Sequence, residues 1–199
     1  MQVLVAGSTG NTGLRLVREL HDRGLDTVAM VRASSDTSGL PDGVKQREAD
    51  LTDLADDVTE GCDVVVFAAG SGGDTPAEMT DKVDRDGAKR LIDLSVANGV
   101  RRFVMLSSVG AGDPDPDSEL AHYLQAKHEA DEHLKATDLE YAILRPVSLT
   151  DADGTGEVRL GENVDPKGEA ARGDVARLLA DAVEAPEWVG KVLTMESVV

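Results

Sequence analysis

Cysteine is nearly missing: Cys62 stands alone in 199 residues. A single thiol cannot form a disulfide within the chain, which fits a reducing compartment. Aromatic residues are few, with one Trp, two Tyr and two Phe. Lysine is scarcer than arginine, 7 against 13. Acidic residues outnumber basic ones 38 to 20, for a net charge of −18. Such a surface repels nucleic acid and anionic membranes. No apolar run is long enough to span a bilayer, and the first residues lack the basic and apolar regions of a secretion signal. Together these absences predict a cytoplasmic protein that takes a small-molecule substrate, without nucleic acid or membrane, as a monomer or homodimer.

The acidic residues are spread along the chain, so disorder does not explain them. At molar salt the Debye length falls to about 3 Å, and repulsion of an anionic ligand vanishes. The aspartate-rich, lysine-poor composition resembles that of a halophile's cytosolic protein; an acidic mesophilic protein is the alternative. The length fits one domain, residues 1–199, with a ligand-binding core over 1–150 and a small substrate-side extension over 151–199.

What is present begins at the N-terminus. The apolar run Val3-Leu4-Val5-Ala6 leads into Gly7-Ser8-Thr9-Gly10-Asn11-Thr12-Gly13 and then Leu14-Arg15-Leu16-Val17-Arg18-Glu19-Leu20. Strand, glycine ladder and amphipathic helix in that order make a pyrophosphate cradle. Gly7 turns the chain sharply, Gly10 clears the approach of a phosphate, and Gly13 lets the helix lie close. Thr9, Asn11 and Thr12 lie between them, where unpaired N–H groups at a helix N-terminus meet an anion. A glycine triplet alone also fits an ordinary strand–helix turn.

Further strands are expected at 27–31, 44–48, 63–69, 102–106 and 141–144, with a last one at 191–195. Helices are expected at 11–23, from Leu51-Thr52-Asp53, and at 76–98, 118–136 and 172–184. Alternating strands and helices predict a Rossmann-type doubly wound α/β fold with a parallel sheet in order 3-2-1-4-5-6. The ligand would lie at the carboxyl ends of strands 1 and 4.

The end of the second strand chooses between dinucleotides: an acid there selects NAD and an arginine NADP. This chain reads Met30-Val31-Arg32-Ala33-Ser34-Ser35. Arg32 is the candidate for a 2′-phosphate contact, with Ser34 and Ser35 as hydroxyl donors; NAD remains possible if Arg32 is only a solvated strand-end residue. Asp50-Leu51 could meet the adenine, or Asp50 could cap the next helix. Ala68-Ala69-Gly70 would let the backbone pass under the cofactor, or would serve tight packing.

Tyr123-x-x-x-Lys127 places two side chains on one helix face. A lysine ammonium beside a tyrosine favours the phenolate and can hydrogen-bond a nicotinamide ribose, while the tyrosine exchanges a proton with substrate. The alternative is a surface pair. Ser107 and Ser108 end the fifth strand toward the same crevice, where Ser108 could orient a substrate carbonyl or satisfy loop backbone. His128 and His133 are five apart, on different faces of a helix, so no metal site is expected.

Gly7-x-x-Gly10-x-x-Gly13, Asp50-Leu51, Ser107-Ser108, Tyr123-x-x-x-Lys127 and Arg145-Pro146 occur in the order of a known family. The chain resembles an atypical short-chain dehydrogenase/reductase, related to NmrA-like and biliverdin-reductase-B-like proteins. The resemblance implies NADP binding, with Pro146 and Val147 lining the nicotinamide end. Two positions depart from the pattern. Val109 stands where extended members often carry the catalytic serine, and Asp84 where many relatives carry asparagine. The short C-terminal region argues against a sugar-nucleotide substrate. The leading expectation is an NADP(H)-dependent oxidoreductase on a small carbonyl-type substrate. A non-catalytic redox sensor or assembly factor and an NAD(P)-dependent epimerase or isomerase are the alternatives.

Overall fold

Three apolar runs build the centre of the molecule. The computed structural model describes residues 1–71 and 76–198. Strands β1 (Gln2–Ala6), β4 (Val64–Phe67) and β5 (Arg102–Leu106) pair in parallel, with Val3 beside Val64 and Val64 beside Arg102. Their side chains are buried almost throughout, as expected of strands covered on both faces. Strands β2 (Asp26–Val31) and β3 (Lys45–Glu48) extend the sheet on one side and β6 (Glu140–Pro146) on the other. The order 3-2-1-4-5-6 is therefore the observed one.

The extra C-terminal strand is also present. Strand β10 (Lys191–Ser197) runs parallel to β6, and β8 (Val158–Leu160) closes that edge antiparallel to β10, giving eight strands. Two further three-residue strands, β7 (Ser148–Thr150) and β9 (Glu169–Ala171), pair in parallel beyond β6. The extension over 151–199 therefore holds β8 and β9 besides the helix and the last strand expected there.

The period-2 alternation of strand side chains sorts the core into two layers. Val3, Val5, Val64, Val66 and Val104 pack with Leu16, Val17 and Leu20 of helix α1 (Asn11–Asp22) and Val175, Leu179 and Val183 of helix α5 (Arg172–Glu184). Leu4, Ala6, Val65, Phe67, Phe103 and Met105 face the opposite side. There they meet Leu91 and Ile92 of helix α3 (Ala88–Ala97) and Leu134 of helix α4 (Ala121–Lys135). Cys62 belongs to this second layer, as a packing residue, and burial pushes its thiol pKa up.

The helix expected over 76–98 is interrupted. A short helix α2 (Ala77–Thr80) passes into a π-helical segment, Asp81–Gly87, before α3. Wide turns of this kind occur frequently at functional sites. Gly87 closes the segment against the turn after β3, where a Cβ would fall 2.8 Å from Leu51 O. That turn corrects another expectation. Residues 51–53 form no helix; the Asp50 carboxylate accepts bonds from the Thr52 N–H at 2.9 Å and hydroxyl at 2.8 Å. A side chain that captures the backbone two residues on makes a turn rather than a helix cap.

Helix α5 ends without a glycine. Its last carbonyls are met from the sheet by Arg102, buried on β5. Its Nη1 donates to Ala182 O, Val183 O and Ala185 O at 2.9, 3.1 and 3.1 Å, while Nε donates to Glu140 at 3.0 Å. A cation at a helix C-terminus also suits the dipole. Arg102→Met should leave these carbonyls without their donor and Glu140 with Arg101 alone, and lower stability by about 2–3 kcal/mol. Urea unfolding of both proteins checks this; a loss below about 0.5 kcal/mol would remove Arg102 from the account.

Candidate functional site

The carboxyl ends of β1 and β4 meet in a crevice, and its floor is the first turn of α1. Gly7 adopts a left-handed conformation (φ 81°), and a Cβ there would lie 2.6 Å from Ala69 N. Gly13 rests on the same turn, where a Cβ would fall 2.0 Å from Gly7 O. The glycine expected to lie against the sheet therefore packs on the turn itself. Gly10 is open: a Cβ would meet only Gly7 O, at 3.4 Å. No side chain caps α1. Its first free amides, from Asn11, Thr12 and Gly13, have no acceptor among the described residues.

Two arms leave this floor and share Gly10, Ala68, Ala69 and Gly70. One, of about 410 Å³, runs past Thr9 and Met30 to Arg32, Ser35, Asp50 and Leu51. Arg32 is exposed, and among the described residues its guanidinium makes no hydrogen bond or ion pair. The Asp50 carboxyl lies below its usual pKa, because it accepts from the Thr52 N–H and hydroxyl, with Arg32 adding to the effect. The other arm, of about 610 Å³, runs past Asn11 and Thr12 to Ser107, Tyr123 and Lys127. Leu120, Leu149 and Arg172 frame its mouth.

Lys127 is buried beneath this second arm. Its Nζ lies 2.9 Å from Asp84 Oδ1, 3.4 Å from Ala69 O and 3.5 Å from Leu106 O. It stands 5.7 Å from the Tyr123 ring centroid and 5.4 Å from that of Phe67. Burial works against the ammonium, but the facing Tyr123, Asp84 and Asp131 outweigh it, so its pKa is held above the ordinary lysine value. Asp84 projects from the π segment and is fully buried; its Oδ2 accepts the Ser71 N–H at 2.9 Å. Oδ1 has no donor in hydrogen-bonding alignment. The short Oδ1–Nζ contact is a buried charge pair.

A second buried pair lies next to the first. Ser107 donates its hydroxyl to Asp131 Oδ2 at 2.8 Å, and Arg145 donates to the same oxygen through Nε at 3.0 Å and Nη2 at 2.9 Å. Burial pushes the Asp131 carboxyl pKa up, with Arg145, Ser107 and Lys127 pulling against it. The Ser107 proton is thus committed inward, and only its lone pairs remain for the crevice.

Comparison with known proteins gives the family of the chain. Residues 7–186 match the NAD(P)H-binding family. The chain belongs to it. YhfK of Bacillus subtilis, an uncharacterized sugar epimerase, is 35% identical over 191 residues, covering 92% of this chain and 88% of that protein. A structure from Bacillus halodurans, provisionally named an NAD-dependent epimerase/dehydratase, is 35% identical with a TM-score of 0.91, covering 100% of this chain and 94% of the other. The oxidoreductase ylbE of Lactococcus lactis is 28% identical with a TM-score of 0.88, covering 100% and 91%. This is an NAD(P)-binding Rossmann protein of the epimerase/reductase type, with structural neighbours in the atypical short-chain dehydrogenase/reductase group.

The residues fit such a nucleotide. Three free amides, an open glycine and a glycine-tight turn suit a diphosphate, and two arms suit the two nucleoside halves. Among the described residues no cluster of His, Cys, Asp or Glu could hold a metal ion, and no helix is long and apolar enough to cross a membrane.

Five expected residues line neither arm, among them Gly13, which is packed on the turn at Gly7. Ser34 is exposed on the loop outside the first arm. Ser108 follows Ser107 along extended backbone and so points the other way, its carbonyl accepting the Ala111 N–H in a turn. Pro146 and Val147 are locked into backbone pairing, with Val109 N donating to Pro146 O and Val147 N to Met195 O, and Val147 is packed in the core. Leu149 and Arg172 stand at the mouth instead. Arg172 was not legible in advance because it opens α5, far along the chain; its Nη1 donates to Asp151 at 2.9 Å.

Proposed function

We propose that the protein is an NADP(H)-dependent oxidoreductase acting on a small carbonyl-type substrate. The observation that carries this reading is the position of Tyr123 and Lys127 on one face of α4, at the end of the arm that begins on the phosphate floor. The bound nucleotide would supply or accept a hydride. Tyr123 then exchanges a proton with the substrate oxygen at its hydroxyl. Lys127 holds its ammonium beneath, fixed by Asp84 and by the carbonyls of Ala69 and Leu106. Ser107 offers an acceptor and no proton, and the proton is assigned to Tyr123 over His122, which also lines the arm but pairs with Asp81. Leu120 and Leu149 favour an apolar substrate body at the mouth. Ser108 has no part in this scheme.

NADP is favoured over NAD by Arg32, exposed at the end of β2 and, among the described residues, without a partner for its guanidinium. A charge-assisted bond to a 2′-phosphate is worth roughly 1.5–3 kcal/mol. The names of the two Bacillus relatives favour a second reading, epimerisation with transient use of the nucleotide. Net consumption of NADPH separates the two.

Turnover of a carbonyl panel with NADPH, followed at the nicotinamide absorbance, tests the first reading. Tyr123→Phe should lower kcat by about a hundredfold or more while NADPH affinity stays within about twofold. An unchanged kcat would remove the acid–base role, and turnover without NADPH loss would favour epimerisation. Separately, Arg32→Ala should weaken NADPH binding by about ten- to a hundredfold and leave NADH unchanged. Equal affinities in the parent protein would overturn the choice of NADP.

A further inference from the structure

Asp84 enters the proposed chemistry only as a support for the Lys127 ammonium. An ionised carboxylate with no exposure is costly unless a partner charge compensates it. Here the partner is Lys127, at 2.9 Å. Orienting the ammonium does not by itself need a carboxylate, since the Ala69 and Leu106 carbonyls already face it. What the carboxylate adds is a negative charge.

The place of that charge matters. If the arm with Arg32 and Asp50 takes the adenosine half, the arm with Tyr123 and Lys127 takes the nicotinamide half. This step rests on the nucleotide reading of the site. The nicotinamide ring is positively charged when oxidised and neutral when reduced, so charge in the wall of this arm distinguishes the two forms. Lys127 lines the arm, and behind it lie the buried Asp84 and Asp131, negative, and the partly buried Arg145, positive. They cancel. At the mouth Arg172 pairs with Asp151, and Glu119 is exposed to solvent.

We infer that Asp84 sets the oxidation-state preference of the site: by cancelling the Lys127 charge it admits the oxidised nucleotide, which an unpaired ammonium would repel. Unit charges about 8 Å apart, at an effective dielectric of about 20 to 40, change a ratio of dissociation constants by roughly 5- to 30-fold. Removing either member of the pair acts with opposite sign, and removing both restores neutrality.

The test is calorimetric titration with NADP⁺ and with NADPH, read as the ratio of their Kd values. Asp84→Asn should raise the ratio of NADP⁺ to NADPH Kd by at least about fivefold. Lys127→Met should lower it by a similar factor, and the double variant should return it to within about twofold of the parent. Lys127 also touches the ligand in either state, but that contact cancels in the ratio. If Asp84→Asn fails to fold, the Lys127→Met and double variants still decide. Ratios that do not move, or that move in the same direction in both single variants, overturn the assignment while leaving the nucleotide site intact. A parent protein that binds neither form overturns both.

Discussion

Everything in this protein is arranged around a helix end that nothing among the described residues satisfies. The first turn of α1 presents the amides of Asn11, Thr12 and Gly13 with no capping side chain and no backbone acceptor. Unpaired donors at a positive helix end await an anion. The glycines enforce this opening. Gly7 and Gly13 are too close to their neighbours to carry a side chain, and Gly10 leaves the approach clear. The parallel sheet then brings Ala68-Ala69-Gly70 beside the same turn, so that two arms diverge from one point.

The second constraint is electrostatic. The surface is strongly acidic, yet buried charge in the second arm is balanced pair by pair, Asp84 with Lys127 and Asp131 with Arg145. Buried pairs of this kind are weak contributors to stability, because desolvation offsets attraction. Their value lies in fixing positions and local charge. The π segment is the backbone device that carries Asp84 inward, and Gly87 lets that segment press onto the turn at Leu51. Packing of the long helix, the adenosine-side turn and the lysine are therefore linked through adjacent residues.

The central strands were legible because β1, β4 and β5 are continuous apolar runs, which only burial on both faces explains. The glycine ladder and the Tyr123–Lys127 spacing were legible because local geometry alone defines them. Other features were not. Strands β7, β8 and β9 have three residues each, too few for a period to register. The π segment has the same residue pattern as an α-helix. The turn at Asp50 read as a helix start because capping and Asx-turn chemistry use the same side chain. Ser108, Pro146 and Val147 were placed by their position in a motif, and the continued pairing of β5 with β6 decides where they point. The Asp84–Lys127 pair joins separate helices, a contact that no local pattern encodes.

The claim on which the rest stands is that the α1 amides bind the nucleotide diphosphate. The most direct test is to assign the backbone amide resonances and titrate NADPH at molar KCl, where surface repulsion is screened. The largest saturable shifts should fall on Asn11, Thr12 and Gly13. Saturable binding that leaves those three amides unmoved, or no binding at all, would contradict the account.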